Sequence, residues 1–282
     1  MANAIAINGT HKRRESYASE VLALAKAKTN IYDDFAEDYE IDGATGAIKV
    51  PTRAGTVTIS DYDILNGISL TQSATDYITL PVEQNYAINE LIDGYEAEAV
   101  PDNLRANRIE AAGYSLGLKK ENTAIAELVT NGTTSADTTA LTTENVYFKL
   151  AAEIKNMKKR NMEVGSMRMV IDADTELLLL TDSKFANTSG SLGEELVREG
   201  VIGKINGVPV KPNYLLPNNV EAIIYDTRFC QKYEVWGVEP HIEDIKDGKH
   251  IGASALQGRQ VGGLKVTNAL GVQVKTKGAV SL

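Results

Sequence analysis

Apolar and polar positions alternate through Gly46-Ala47-Ile48-Lys49-Val50, Thr56-Val57-Thr58-Ile59-Ser60 and Tyr77-Ile78-Thr79-Leu80-Pro81-Val82. That period of two predicts half-buried strands. A long, mostly polar stretch from Asp61 to Asp76 separates the second from the third. So long a connection without structure of its own is uncommon inside a compact domain. A two-stranded flap is also marginal by itself in water, because one face has nothing to pack on. The pattern therefore predicts a flap that lies on another copy of the chain, and points to assembly rather than chemistry.

Elsewhere the period lengthens to that of helices. Residues 14–29 place Tyr17, Val21, Leu24 and Ala25 on one face, and Ile31 to Glu40 reads as an extended arm docking through Ile31, Phe35 and Tyr39. Pro101 fits the first turn of a helix running to about Val129 and closed by Asn131-Gly132. Within it Ala106, Gly113, Gly117 and Ala124 share a face, beside the apolar positions Leu104, Ile109, Ala112, Leu116, Ile125 and Leu128. Each interior glycine costs about 1 kcal/mol relative to alanine. Close approach of another element is one return for that cost, and plain tolerance of glycine is the other reading.

After a polar loop, Thr142-Thr143-Glu144-Asn145 starts a helix through Arg160 whose basic end opposes its dipole. A strand follows from Met167 to Ile171, and Asp172 is the N-cap of a helix over Glu176 to Leu180. A Ser/Gly-rich loop (Thr188 to Gly193) and a short helix lead to strands Gly203 to Val210, Glu221 to Tyr225 and Gln231 to Trp236. Val261 to Lys275 reads as two strands around Asn268. The layout is α+β rather than the regular alternation of a doubly wound sheet.

Composition is that of an ordinary globular chain, 43% hydrophobic and 24% charged over 282 residues. Charge changes the picture more than composition does. Residues 1–30 carry five basic side chains against two acidic ones, whereas residues 31–100 carry fourteen acids against Lys49 and Arg53, a net of -12. A chain built to grip phosphates carries a basic stripe instead. The basic start is read as a solvated amphipathic helix rather than a nucleic-acid contact. Cys230 is the single cysteine, which excludes an internal disulfide and predicts a small buried side chain. No apolar run approaches a membrane span, so no membrane partner is expected, and first folding in a reducing cytoplasm is.

Candidate chemistry is sparse. Met169-Val170-Ile171-Asp172-Ala173-Asp174-Thr175 puts two carboxylates after a strand, resembling the nucleophile motif of haloacid dehalogenases and the metal pair of some glycosyltransferases. Glu176 stands where the dehalogenase pattern wants Thr or Val, and the helix-cap role accounts for Asp172 fully. His11, His241 and His250 lack metal-site spacing, and the latter two flank an expected hairpin. Nucleophile-elbow, phosphate-loop and dinucleotide glycine motifs are absent, so neither catalytic residues, nor a metal, nor a cofactor is expected.

Taken in order, the elements resemble the major capsid protein of tailed bacteriophages, the Hong Kong 97-like fold. The resemblance spans nearly the whole chain. It rests on the helical arm, the acidic flap with Ser60-Asp61-Tyr62-Asp63, the passage from Leu80 to Asp93 into a long helix, the segment Met167 to Phe185, and Gly203-Lys204-Ile205-Asn206-Gly207-Val208-Pro209-Val210. It implies an N-terminal arm (1–43), an extended E-loop (44–94), a peripheral domain with a spine helix (95–166), an axial domain (167–240) and return strands (241–282). It further implies a homo-oligomeric icosahedral shell of hexamers and pentamers, assembled in the host cytoplasm around double-stranded DNA without sequence-specific binding. No scaffold-like extension is present, which implies a separate scaffolding protein, with a portal as further partner. Contacts between copies are expected at Arg53, Asp61, Tyr62, Asp63, Tyr17 and Phe35, and in loops near Thr188 to Gly200. An encapsulin-like cargo shell and a tail-tube protein are the alternatives.

Overall fold

The computed structural model describes residues 30–36, 47–51, 59–68, 77–93, 103–185, 201–246 and 248–278. The helix expected over 14–29 and the loop 188–200 lie outside them. Four helices are used below: α1 (Ile31–Asp34), α2 (Asn103–Asn131), α3 (Val146–Lys159) and α4 (Ala173–Thr181). The strands are β1 (Ala47–Pro51), β2 (Tyr77–Pro81), β3 (Gln84–Ile92), β4 (Thr133–Thr134), β5 (Met167–Ile171), β6 (Gly203–Ile205), β7 (Val208–Pro212), β8 (Val220–Asp226), β9 (Cys230–Asp244), β10 (Ser254–Val266) and β11 (Val272–Thr276). The class is α+β, as the pattern predicts.

A mixed six-stranded sheet of order β4-β11-β8-β5-β7-β6 forms the centre. Alternation along its strands divides two cores. Met167, Met169 and Ile171 of β5, with Ala222 and Ile224 of β8, face α3 and α4 through Val146, Leu150, Ile154, Met157 and Leu179. Val170, Ile223 and Tyr225 face the other way, toward Ala124, Ile125 and Leu128 of α2 and toward Ile31 and Phe35. With helices on both faces, β8 is buried at every position, which is why its middle, Ala222 to Tyr225, reads as a continuous apolar run.

Beside it, β3, β10 and β9 form an antiparallel sheet in which the β9–β10 hairpin is far longer than the strand expected over Gln231 to Trp236. His241 is exposed on β9 and His250 in the connecting turn, as expected of a hairpin. The strands around Asn268 are β10 and β11, and the Asn268 side chain accepts from Leu270 N at 3.0 Å between them. β10 joins the smaller sheet and β11 the central one.

Several expectations need correction. Gly203 to Val210 is two strands, because Asn206 (φ 50) and Gly207 (φ 89) adopt the left-handed pair of a tight hairpin turn. Gln84–Ile92 was expected only as a passage into the long helix, and it is a nine-residue strand on the edge of a sheet. Ile31–Asp34 forms a helical turn rather than an extended run. Gly113 and Gly117 meet nothing within 4 Å where a Cβ would stand, so close packing within the chain does not explain them among the described residues. Gly132 does need its missing side chain. A Cβ there would lie 2.7 Å from Val272 Cγ1 and 2.5 Å from the Leu128 carbonyl oxygen, where the end of α2 meets β11.

Candidate functional site: an extended hairpin and an anchored arm

The flap is built on β1 and β2, which pair antiparallel from Ala47 with Pro81 to Pro51 with Tyr77. The expected middle strand finds no support among the described residues, since Ile59 and Ser60 belong to no strand and residues 52–58 lie outside the description. Leu80 is fully buried at the base, whereas Tyr77 on the same strand is exposed. Farther out, residues 63–67 close a turn. Gly67 N donates to the Asp63 carbonyl at 2.8 Å, Leu65 N to Asp63 Oδ1 at 2.9 Å, and Asn66 Nδ2 to Asp63 Oδ2 at 2.6 Å. The Leu65 amide, then the Asn66 side chain, hold the Asp63 carboxyl below its ordinary range. Asp63 therefore shapes the tip through both of its carboxylate oxygens.

Around this turn Ile59, Tyr62, Ile64 and Leu65 are between 71 and 93% exposed. Four large apolar side chains on one small turn exceed the scattered apolar residues normal on a monomer, and a cluster of that kind marks an interaction surface. Asp61 and Tyr62 stand exposed on it. Arg53 and Tyr17 lie outside the described residues.

Phe35 is placed differently from its expectation. Its ring is 1% exposed in the chain's own core, packed with Ile31, so it is not free to touch a neighbour. What holds this arm segment is a buried carboxylate on α2, which no local sequence pattern marks as a cap. Glu121, fully buried on α2, accepts from Asn30 N at 3.0 Å, Ile31 N at 2.9 Å and Tyr32 N at 2.8 Å. Those are the orphan N–H groups at the start of α1, and Glu121 caps them from a distant helix. Asn213 Nδ2 donates to the same carboxylate at 2.6 Å and to Asn30 Oδ1 at 3.0 Å, while Asn30 Nδ2 donates to the Pro212 carbonyl at 3.0 Å. Lys211 and the Tyr225 hydroxyl engage Asp34, at 3.2 and 2.8 Å. Burial first, then the Asp34 charge, push the Tyr225 phenol well above its ordinary pKa, so it stays a donor. Ala36 finally pairs with β9, its N–H donating to the Cys230 carbonyl at 2.9 Å. The only available signal was a Glu within the apolar stripe of a helix.

The Asp172–Asp174 pair behaves as a cap. Asp172 Oδ1 accepts from Thr175 N at 2.9 Å, and Lys277 Nζ lies 3.2 Å from Asp172 Oδ2 and 2.9 Å from Asp174 Oδ2. An ammonium thus occupies the place a divalent ion would take. Asp174, then Asp172, raise the Lys277 pKa above its ordinary value. Among the described residues, no three His, Cys, Asp or Glu gather as a cation site, and no helix is long and apolar enough to cross a membrane.

No protein-family model matches the sequence, and no curated protein does. Solved structures do. A chain from Mycobacterium phage Che8 superposes with a TM-score of 0.76 at 20% identity, covering 96% of this chain and 98% of that one. The capsid structure of the cyanophage P-SCSP1u gives 0.75 at 12% identity, covering 95% and 93%. The capsid of a native GTA particle gives 0.65 at 13% identity over 99% of both chains. At such low identity the likeness is one of fold. The chain shares the fold of these capsid structures over nearly its whole length, with no large part left over on either side.

Proposed function

We propose that this chain is the structural major capsid protein of a tailed bacteriophage. Copies assemble as hexamers and pentamers into an icosahedral virion shell that encloses double-stranded DNA. The observation that carries this reading is the near-complete two-way coverage by phage capsid structures. The apolar turn held out at the flap tip supports it, because that turn leaves a cost unmet in a single chain. In this reading the flap is the E-loop, α2 the spine helix, and the β5–β8 region the core of the axial domain. The chain has a structural rather than a catalytic role. A separate scaffolding protein and a portal complete the assembly in the host cytoplasm. Asp61 and Tyr62 face a neighbouring copy, and Arg53 and Tyr17 contribute contacts of the same kind.

Electron microscopy of the purified protein, with and without a scaffolding partner, tests it. Closed icosahedral particles are expected. Rings or tubes would favour the tail-tube alternative, particles filled with protein rather than DNA in infected cells the cargo-shell one, and a persistent monomer neither. Deleting residues 55–76, which keeps β1 and β2, should leave a folded subunit unable to close shells.

A further inference from the structure

The basic end of α3 stands apart from the other cations of the chain. Lys155, Lys158 and Lys159 are exposed there, and Arg160 follows at the helix C-cap, half-buried. Among the described residues none of the four meets a carboxylate, whereas Lys149, Lys211, Arg228, Lys265, Lys275 and Lys277 all do. Lys158 Nζ donates instead to the Asn206 carbonyl at 3.3 Å, and Arg160 Nη1 to the Leu270 carbonyl at 3.4 Å. Those bonds fix the helix end against the β6–β7 turn and leave its charge in place. The acids nearby are engaged elsewhere. Glu153 is buried on the Ser135 hydroxyl, and exposed Glu163 and buried Asp226 both hold Arg228. Asp174 and Glu176 of α4 lie beyond the far end of β5, on Lys277 and the Tyr214 hydroxyl.

The helix dipole does not account for this cluster. It offers about half an elementary negative charge at the C-terminus, against four cations. Lys155 and Lys159, one turn apart, also repel each other. Contacts between proteins are depleted in lysine and centre on apolar side chains. Leu270 is exposed beside Arg160, but one such side chain makes no centre, and the other exposed neighbours are Asn161 and Asn206. Lysine, arginine and asparagine together are the groups that hold phosphate oxygens without reading bases. The net charge of -9 does not forbid it, since charges beyond about 8 Å are screened at physiological salt and the local cluster decides.

We propose that the C-terminal end of α3 is a sequence-independent contact for the phosphate backbone of duplex DNA. One subunit binds weakly, and many copies on one wall add their contacts along the same duplex. The inference rests on the shell reading above for the duplex that is met, and adds the surface that meets it.

The test measures binding of a short mixed-sequence duplex to the full-length, unassembled protein by fluorescence anisotropy. Three lysines on phosphates give a slope of log affinity against log salt of about -3, or about a sixtyfold loss between about 50 and 200 mM salt. Lys155→Gln, Lys158→Gln and Lys159→Gln combined should weaken binding at least tenfold at the lower salt and flatten the slope. The same three positions changed to Arg should keep both. Parental binding by the Gln variant would overturn the proposal. So would displacement of the duplex by polyglutamate at matched charge, which would assign the cluster to an acidic protein segment, or tighter binding of single-stranded RNA than of the duplex. The Gln variant should still form particles at parental yield. Loss of its particles would place the cluster between copies and overturn the proposal while leaving the shell reading intact. Lysine-dependent duplex binding by a protein that forms no closed shell would uphold the contact and sink that reading.

Discussion

The Glu121 carboxylate accepts the backbone N–H of Ile31 at 2.9 Å, across 90 residues of sequence. The bond lies in the interior, and among the described residues no lysine or arginine sits directly on the carboxylate to balance it. Three consecutive backbone amides and the Asn213 side chain supply the compensation.

Replacing this carboxylate should therefore be costly. Glu121→Ala leaves those donors unpaired, at about 1–3 kcal/mol for each buried group that water cannot reach. Glu121→Gln should not rescue, because its amide N–H₂ would point at other donors. Urea denaturation is expected to show a loss of about 3 kcal/mol or more, with faster protease cleavage near residue 36. A loss under about 1 kcal/mol would contradict the capping role.

At the other acidic cluster the cost should be smaller and independent of metal. Asp172→Ala removes an N-cap and is expected to cost about 1–2 kcal/mol. Asp174→Asn, at an exposed position, should fall within about 0.5 kcal/mol of the parent. Millimolar Mg²⁺ or Mn²⁺ should leave the melting temperature unchanged. A rise that Asp174→Asn abolishes would restore the metal reading.

Glu221 predicts a pH dependence of the less common sign. Its side chain is nearly buried, and its Oε2 has no hydrogen-bond partner among the described residues. Desolvation raises its pKa, outweighing the nearby Lys275. A carboxyl whose folded pKa lies above its unfolded value opposes folding once ionised. The penalty is absent below the unfolded pKa, grows as pH rises to the folded pKa, and is complete above it. Glu221→Gln should thus raise the melting temperature at pH 7 and lose that advantage in acid. Equal effects at both pH values would exclude the ionisation account.

The helix glycines separate into two kinds. Gly132→Ala forces a methyl against Val272 and the Leu128 carbonyl and is expected to destabilise by about 1–3 kcal/mol. Gly113→Ala and Gly117→Ala enter open space and should each stabilise the free subunit by about 0.5–1 kcal/mol. If either then impairs assembly, that stretch of α2 is packed against a neighbour.

Regions with one clean period were legible from residues alone. The long helix, the strand–cap–helix at Met167 to Thr181 and the two strands around Asn268 each carry local signals that tertiary contacts reinforce. What escaped was non-local. Gln84–Ile92 is a strand because β10 pairs with it throughout, yet its alternation leaves no residue fully buried, so its apolar signal is diluted by Asn85, Asn89 and Glu90. The Asn206-Gly207 dipeptide carries the signal of a tight turn, but the apolar alternation on either side of it continues as if through one strand. Phe35 was read as a contact because an acidic neighbourhood conceals the core it enters. Glu121 could not be read as a cap, since its partners come from a different part of the chain.

The anchored segment has a mechanical consequence. Chain before Asn30 and chain after Ala36 leave from opposite ends of a piece only seven residues long, fastened by Glu121 at one end and β9 at the other. Tension applied from either side is grounded in the subunit's interior before it can reach the other.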